Sequence, residues 1–154
     1  MPHDDVLSTL NELIQTCYDG EEGFRQCAEQ ISSPQLKDLF TSRANGCAKA
    51  AVELGELVGS LGGVAVARGS VSGSMHRSWV TLKAAITGKD DASILSETER
   101  GEDIALANYR YALDKELPPA IRTVVEKQYQ LVIRNHDEVK RLRDQARAGK
   151  NPGS

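Results

Sequence analysis

The stretch VAVARGSVSGSMHRSWVTLKAAITGKDD, residues 64–91, separates two long amphipathic segments from two others, and its length decides the topology. Residues 64–74 are small and polar with little periodicity and read as a loop. MHRSWVTLKAAI (75–86) reads as a short amphipathic helix, and TGKDD breaks it. The other two links are far shorter: SSPQ at 32–35, and LPP at 117–119. Short links force neighbouring helices to run antiparallel, whereas a link of 28 residues can return the chain to the end it came from. The expected fold is all-α: two helical hairpins joined by a long crossover (64–88) that contains a short helix.

The flanking segments carry the periodicity this requires. From Asp5 to Ile31, Val6, Leu10, Leu13, Cys17, Phe24, Ala28 and Ile31 recur at three- and four-residue steps. Gly20 and Gly23 weaken this helix by about 1 kcal/mol each relative to alanine and leave room for a close neighbour. Ser33 and Pro34 form an N-cap and first-turn pair for a second helix, which carries Leu36, Leu39, Phe40, Cys47, Leu54, Leu57, Val58 and Leu61 and stops at Gly62 or Gly63. Asp90 or Asp91 caps a third helix with Ile94, Leu95, Leu106, Tyr109 and Leu113 inward. The fourth runs from Pro119 to Ala148 on Ile121, Val124, Val125, Val132, Val139 and Leu142. One domain, 1–148, and a flexible tail, 149–154, are expected.

Composition agrees. At 154 residues and 40% apolar the chain can fill one core, and with few aromatic residues that core must be aliphatic, which suits helices. A net charge of -3 gives no electrostatic footprint for nucleic acid, and the basic run KRLRDQARAGK complements the dipole at the end of the last helix. No run approaches the roughly 20 apolar residues that span a bilayer. MPHDDVLSTL lacks the features of a secretory leader, and the three cysteines form no C-x-x-C pair, so a cytoplasmic protein is expected.

Several polar residues fall on the inward stripes. At 100° per residue, Glu21 lies roughly 40° from the centre of the first helix's stripe and Glu22 roughly 140° away. In ETERGEDIALANY (97–109), Glu102 lies within roughly 10° of its stripe centre, Glu99 is marginal, and Glu97 points outward. Arg43 shares the stripe of Leu36, Leu39, Phe40 and Cys47; Gln128 and Asn135 fall on that of the fourth helix, with His136 at its edge. Counting from turns near residues 32 and 117 puts Glu21 and Glu102 roughly 17 Å down the bundle, in one layer with Arg43, Gln128 and His136. Buried charges must be paired or coordinate a metal. The expectation is that Arg43, whose planar fork suits two carboxylates, bridges Glu21 and Glu102. The alternative is a metal site using Glu21, Glu102 and His136, with Cys47 as a further ligand.

DGEEGF, GSMHRSW, ERGEDIAL and RNHDEVKRLRD resemble the bacterial ferritin-like family of unknown function, over about residues 5–145. The resemblance implies a ferritin-like four-helix bundle. Iron-storing and iron-oxidising relatives of that fold use a full set of carboxylates and histidines. Glu21 and Glu102 match that set in position and His136 matches in part, but the second helix has Arg43-Ala44-Asn45-Gly46 where Glu-x-x-His is required, and the fourth has Ile133-Arg134-Asn135-His136. A non-enzymatic bundle, forming a homodimer or higher homo-oligomer and needing no cofactor, is therefore expected; iron or manganese binding is the alternative. Trp79, with His76 and Arg77, packs the crossover helix on the bundle or meets a ligand or a second copy. Cys17 and Cys47 lie level and act as small apolar residues, or as soft-metal or redox thiols. No phosphate-loop, dinucleotide or nucleophile-elbow motif is present.

Overall fold

A computed structural model describes residues 3–67 and 84–149. Its four helices are α1 (His3–Gln30), α2 (Pro34–Ser60), α3 (Asp91–Leu113) and α4 (Pro119–Gly149). Of the expected crossover helix only 84–86 are described, and they are helical. His76, Arg77, Trp79 and the tail residues 150–154 lie outside the described residues.

The helix ends follow their local chemistry. The Ser33 side chain accepts from Leu36 N at 3.3 Å and Pro34 occupies the first turn of α2. Gly62 adopts φ +80 just past α2, and Gly63 N returns to Val58 O at 3.0 Å, so Gly62 is the stop. Asp90, accepting from Ser93 N at 2.8 Å, caps α3. Its neighbour Asp91 accepts from Ser32 N and Ser33 N at 2.8 and 3.1 Å. That clamp ties the start of α3 to the α1–α2 turn. The crossover has brought the chain back to the end where α2 began.

Contacts between helices confirm the directions. Thr16 meets Asn108, Cys17 meets Tyr109 and Cys27 meets Thr98, so α3 runs against α1. Arg43 meets Glu138 while Glu53 meets Gln128, so α4 runs against α2. Both α2 and α3 oppose α1, and are parallel to one another. Two hairpins joined by a long crossover are what residues 64–91 required. No helix among the described residues is long and apolar enough to cross a membrane.

The inward stripe of α1 is buried throughout: Val6, Leu10, Leu13, Cys17, Phe24, Ala28 and Ile31. The core nevertheless falls into two clusters. One gathers Leu10, Leu13, Cys17, Leu54, Val58, Tyr109 and Val125. The other gathers Phe24, Phe40, Ala44, Ile86, Leu95 and Val139, with the Phe24 and Phe40 rings 5.9 Å apart. Three polar residues on α1, α3 and α4, Glu21, Glu102 and Gln128, are also buried. All three are among the inward polar residues expected from the sequence.

Candidate metal centre

Glu102 is the innermost acid of α3. It is 7% exposed and its Oε1 has no hydrogen-bond partner. Burial pushes its carboxyl up to about 8; nearby Arg43 pulls it down, and Asp103, Glu99 and Glu138 push it further up. At neutral pH this side chain is mostly a neutral acid.

Arg43 does not bridge Glu21 and Glu102. Its Nη2 pairs with Glu138 on α4, and its Nε is buried without a hydrogen-bond partner. Glu21 Oε2 accepts from Arg25 Nη2 at 2.9 Å, one turn along the same helix. The physical reason is local supply. An i,i+4 arginine reaches Glu21 with no inter-helix ordering, and Arg43 gains by carrying its head to Glu138, which is 39% exposed and keeps part of its hydration.

Gln128 is buried as expected, but in a different network. Tyr109 Oη donates to its Oε1 at 2.8 Å, and its Nε2 donates to Glu53 Oε1 at 2.7 Å. Cys17 Sγ lies 3.5 Å from the same hydroxyl. Cys47 sits close against α1, where a Cβ on Gly20 would stand 3.0 Å from its Sγ. Gly20 therefore permits the close approach anticipated for it. Burial first, then Cys17, Glu102 and Glu21, push the Cys47 thiol up to about 12. A thiol held protonated in this way is a poor soft-metal ligand, and all three cysteines are free.

The structure assembles a different set of ligand types on the α3–α4 seam. Glu99 and Asp103, one turn apart on α3, face His136 on α4, and one ligand atom from each lies within 4.8 Å of the other two. His136 Nε2 is 2.6 Å from Asp103 Oδ1, yet this buried nitrogen makes no hydrogen bond. The two groups form an ion-pair contact without a directed N–H···O bond. On the other side of the ring, Nδ1 is 3.6 Å from Asp137 Oδ1. Glu99 is held by Arg143 Nη1, which shares its guanidinium with Asp144 at 3.1 Å.

Of the residues expected to bind metal, only His136 is in this group; Glu21, Glu102 and Cys47 are not. The sequence reading missed Asp103 and left Glu99 marginal. The available signal was their i,i+4 spacing on α3. What hid it was the depth count: a turn centred at residue 117 sets Glu102 beside Val132, but the structure sets Asp103 against His136. Arg122 Nη2 bonds back to Leu113 O and Lys115 O, fastening α4 across the loop in that register.

Residues 5–115 match the family described as a domain of unknown function, DUF2383. No curated protein matches the chain. Among solved structures, a two-domain protein from Anabaena variabilis with DJ-1/ThiJ/PfpI-like and ferritin-like domains superposes at a TM-score of 0.77 and 16% identity. That comparison covers 95% of this chain and 41% of the Anabaena chain, so this chain spans less than half of that protein's length. A dodecameric thioferritin, the bacterioferritin-related protein of Bacteroides fragilis, superposes at 0.75 and 14% identity, over 97% of this chain and 91% of that one. A Mycobacterium smegmatis Dps1 variant gives 0.74 and 12%, over 90% and 94%. These similarities establish a ferritin-like helical bundle, and the match over residues 5–115 places the chain in the DUF2383 family.

Proposed function

We propose that this protein is a ferritin-like bundle that binds one divalent metal ion per chain at Glu99, Asp103 and His136, and that it has no di-iron oxidase centre. The observation that carries the reading is the convergence of two carboxylates and an imidazole from α3 and α4 within 4.8 Å. Ligand atoms sharing a first-row ion at roughly 2.1 Å stand no more than about 4.2 Å apart, so small side-chain adjustments close the site. One nitrogen and two oxygens suit manganese(II), iron(II) or zinc(II). His136 Nε2, now 2.6 Å from Asp103 Oδ1, supplies the nitrogen donor once that contact opens to admit an ion.

The di-iron centre of the fold's iron-oxidising members does not fit these residues. The guanidinium of Arg43 stands on α2 near Glu102 and lowers that carboxyl's pKa, where such a centre needs acid and imidazole ligands. Glu21 is engaged by Arg25.

The test is metal analysis of chelator-treated protein reloaded with manganese(II) or, without air, iron(II). One ion per chain is expected, lost in His136→Ala and Asp103→Asn and kept in Glu21→Gln. Two ions per chain that require Glu21 and Glu102 would overturn this site in favour of a dinuclear one, and no binding would end the metal reading.

A second reading is favoured by the internal pairing of Arg43 with Glu138, Arg25 with Glu21 and Arg143 with Glu99. On it the layer is structural, and the protein is non-enzymatic and acts through its surface. Homo-oligomerisation belongs to either reading and is supported by the dodecameric Bacteroides relative. Light scattering of the full chain tests it, and a monomer at micromolar concentration would refute it.

A further inference from the structure

We propose that Arg143 is the resident cation of the α3–α4 site and that a divalent ion must displace its guanidinium from Glu99. The inference rests on the metal reading above and concerns what controls occupancy. Arg143 and Glu99 are both partly buried, with side chains 17% and 14% exposed, and Nη1 touches Glu99 Oε2 directly. That contact occupies Glu99 Oε2, one of the carboxylate oxygens an ion would need, with a charge-assisted bond. Two positive charges on one carboxylate also repel strongly in a partly dry environment.

The structure provides the arginine with a second place to rest. Asp144 already accepts from Arg143 Nη2 at 3.1 Å and from Nε at 3.3 Å, and its side chain is 60% exposed. Moving off Glu99 therefore costs Arg143 one carboxylate contact and leaves the other. Arg43, by contrast, is committed to Glu138, which is outside the ligand group. The two arginines share a charge and a neighbourhood but differ in whether they cover a ligand. That difference separates displacement from a general field effect.

The experiment titrates manganese(II) into chelator-treated full-length protein and follows free ion by its paramagnetic resonance signal. It compares wild type, Arg143→Gln and Arg43→Gln. Arg143→Gln is expected to tighten binding roughly tenfold or more, and Arg43→Gln to change it less than about threefold. Equal gains in both variants would overturn the proposal, because only the summed charge would matter. Unchanged or weaker binding by Arg143→Gln, with wild type binding normally, would also overturn it, because Arg143 would then position Glu99 instead of blocking it. Binding by neither wild type nor Arg143→Gln would remove the metal site itself. A measurement on wild type alone stands even if Arg143→Gln folds poorly. Zinc(II) should shift one arginine side-chain Nε–H resonance stoichiometrically, and selective saturation of that resonance should transfer to α4 neighbours. Stoichiometric zinc binding with every arginine resonance unmoved would refute displacement.

Discussion

Replacing Glu102 by glutamine should make the protein more stable at neutral pH, and the gain should vanish in acid. An ordinary glutamate releases its proton near 4.5, but burial holds that of Glu102 to about 8 in the folded protein. Between those values the folded state carries a proton that the unfolded state has lost. Stability therefore falls as pH rises through the window, is undiminished below about 4.5, and has lost the full amount above about 8. Each step of one pH unit inside the window removes about 1.4 kcal/mol. From 4.5 to pH 7 the loss reaches about 3 kcal/mol, and at the upper edge about 5 kcal/mol, as ceilings for a site that excludes water. Glutamine has nearly the same shape and no proton to lose.

The assay is urea unfolding of wild type and Glu102→Gln from pH 5 to pH 8.5, with a chelator present throughout. Other titrating groups are common to both chains, so the difference between them isolates this carboxyl. The two stabilities should nearly coincide at the acid end and separate steadily in favour of the variant. Parallel curves would refute the reasoning, because they mean that Glu102 ionises alike in both states. A wild type that gains on the variant as pH rises would show a stable carboxylate paired with Arg43, the arrangement the geometry contradicts.

Tyr109→Phe should cost about 1–2 kcal/mol in chemical denaturation, because it strands Gln128 Oε1 in the interior; a loss below a few tenths would mean that water replaces the hydroxyl. Gly20→Ala should gain little alone, since its methyl would stand 3.0 Å from Cys47 Sγ, but should stabilise by about 1 kcal/mol in a Cys47→Ala background. Additive behaviour of the two changes would show that α1 and α2 have slack there. Burial raises the thiols of Cys17 and Cys47 to about 11 and about 12, so iodoacetamide at neutral pH should label neither until urea unfolds the chain. Rapid labelling of the native protein would contradict that burial.

The hairpins were legible because apolar periodicity is a local signal that survives any tertiary context. Val6 to Ile31 could be assigned to a buried face without knowledge of what covers it. Glu102 could be assigned inward for the same reason, and the buried position confirms it. Its surroundings could not be read, because a helical wheel fixes the direction of a Cβ and not the reach of a long side chain. Arg43 lies on the inward stripe, yet its guanidinium ends on α4 beside Glu138. Arg25 lies off that stripe, yet it captures Glu21. Pairing between long side chains is decided over several ångströms of side-chain reach, beyond the resolution of a sequence pattern.

The same argument explains where an ion can sit in this bundle. Near Glu102 stand the acids Glu99, Asp103 and Glu138, and among their partners the bases Arg43 and Arg143. In the dry centre an uncompensated carboxylate is costly, and Glu102 escapes that cost by keeping its proton. Asp103 escapes it by lying at the surface, its side chain 60% exposed. On the proposed reading a cation gains little from a carboxyl that keeps its proton, and is drawn to Asp103 and to a Glu99 released by Arg143 more than to Glu102. With Arg43 reaching from α2 to Glu138, the proposed site lies one helix seam outward, on the side of α3 that faces His136.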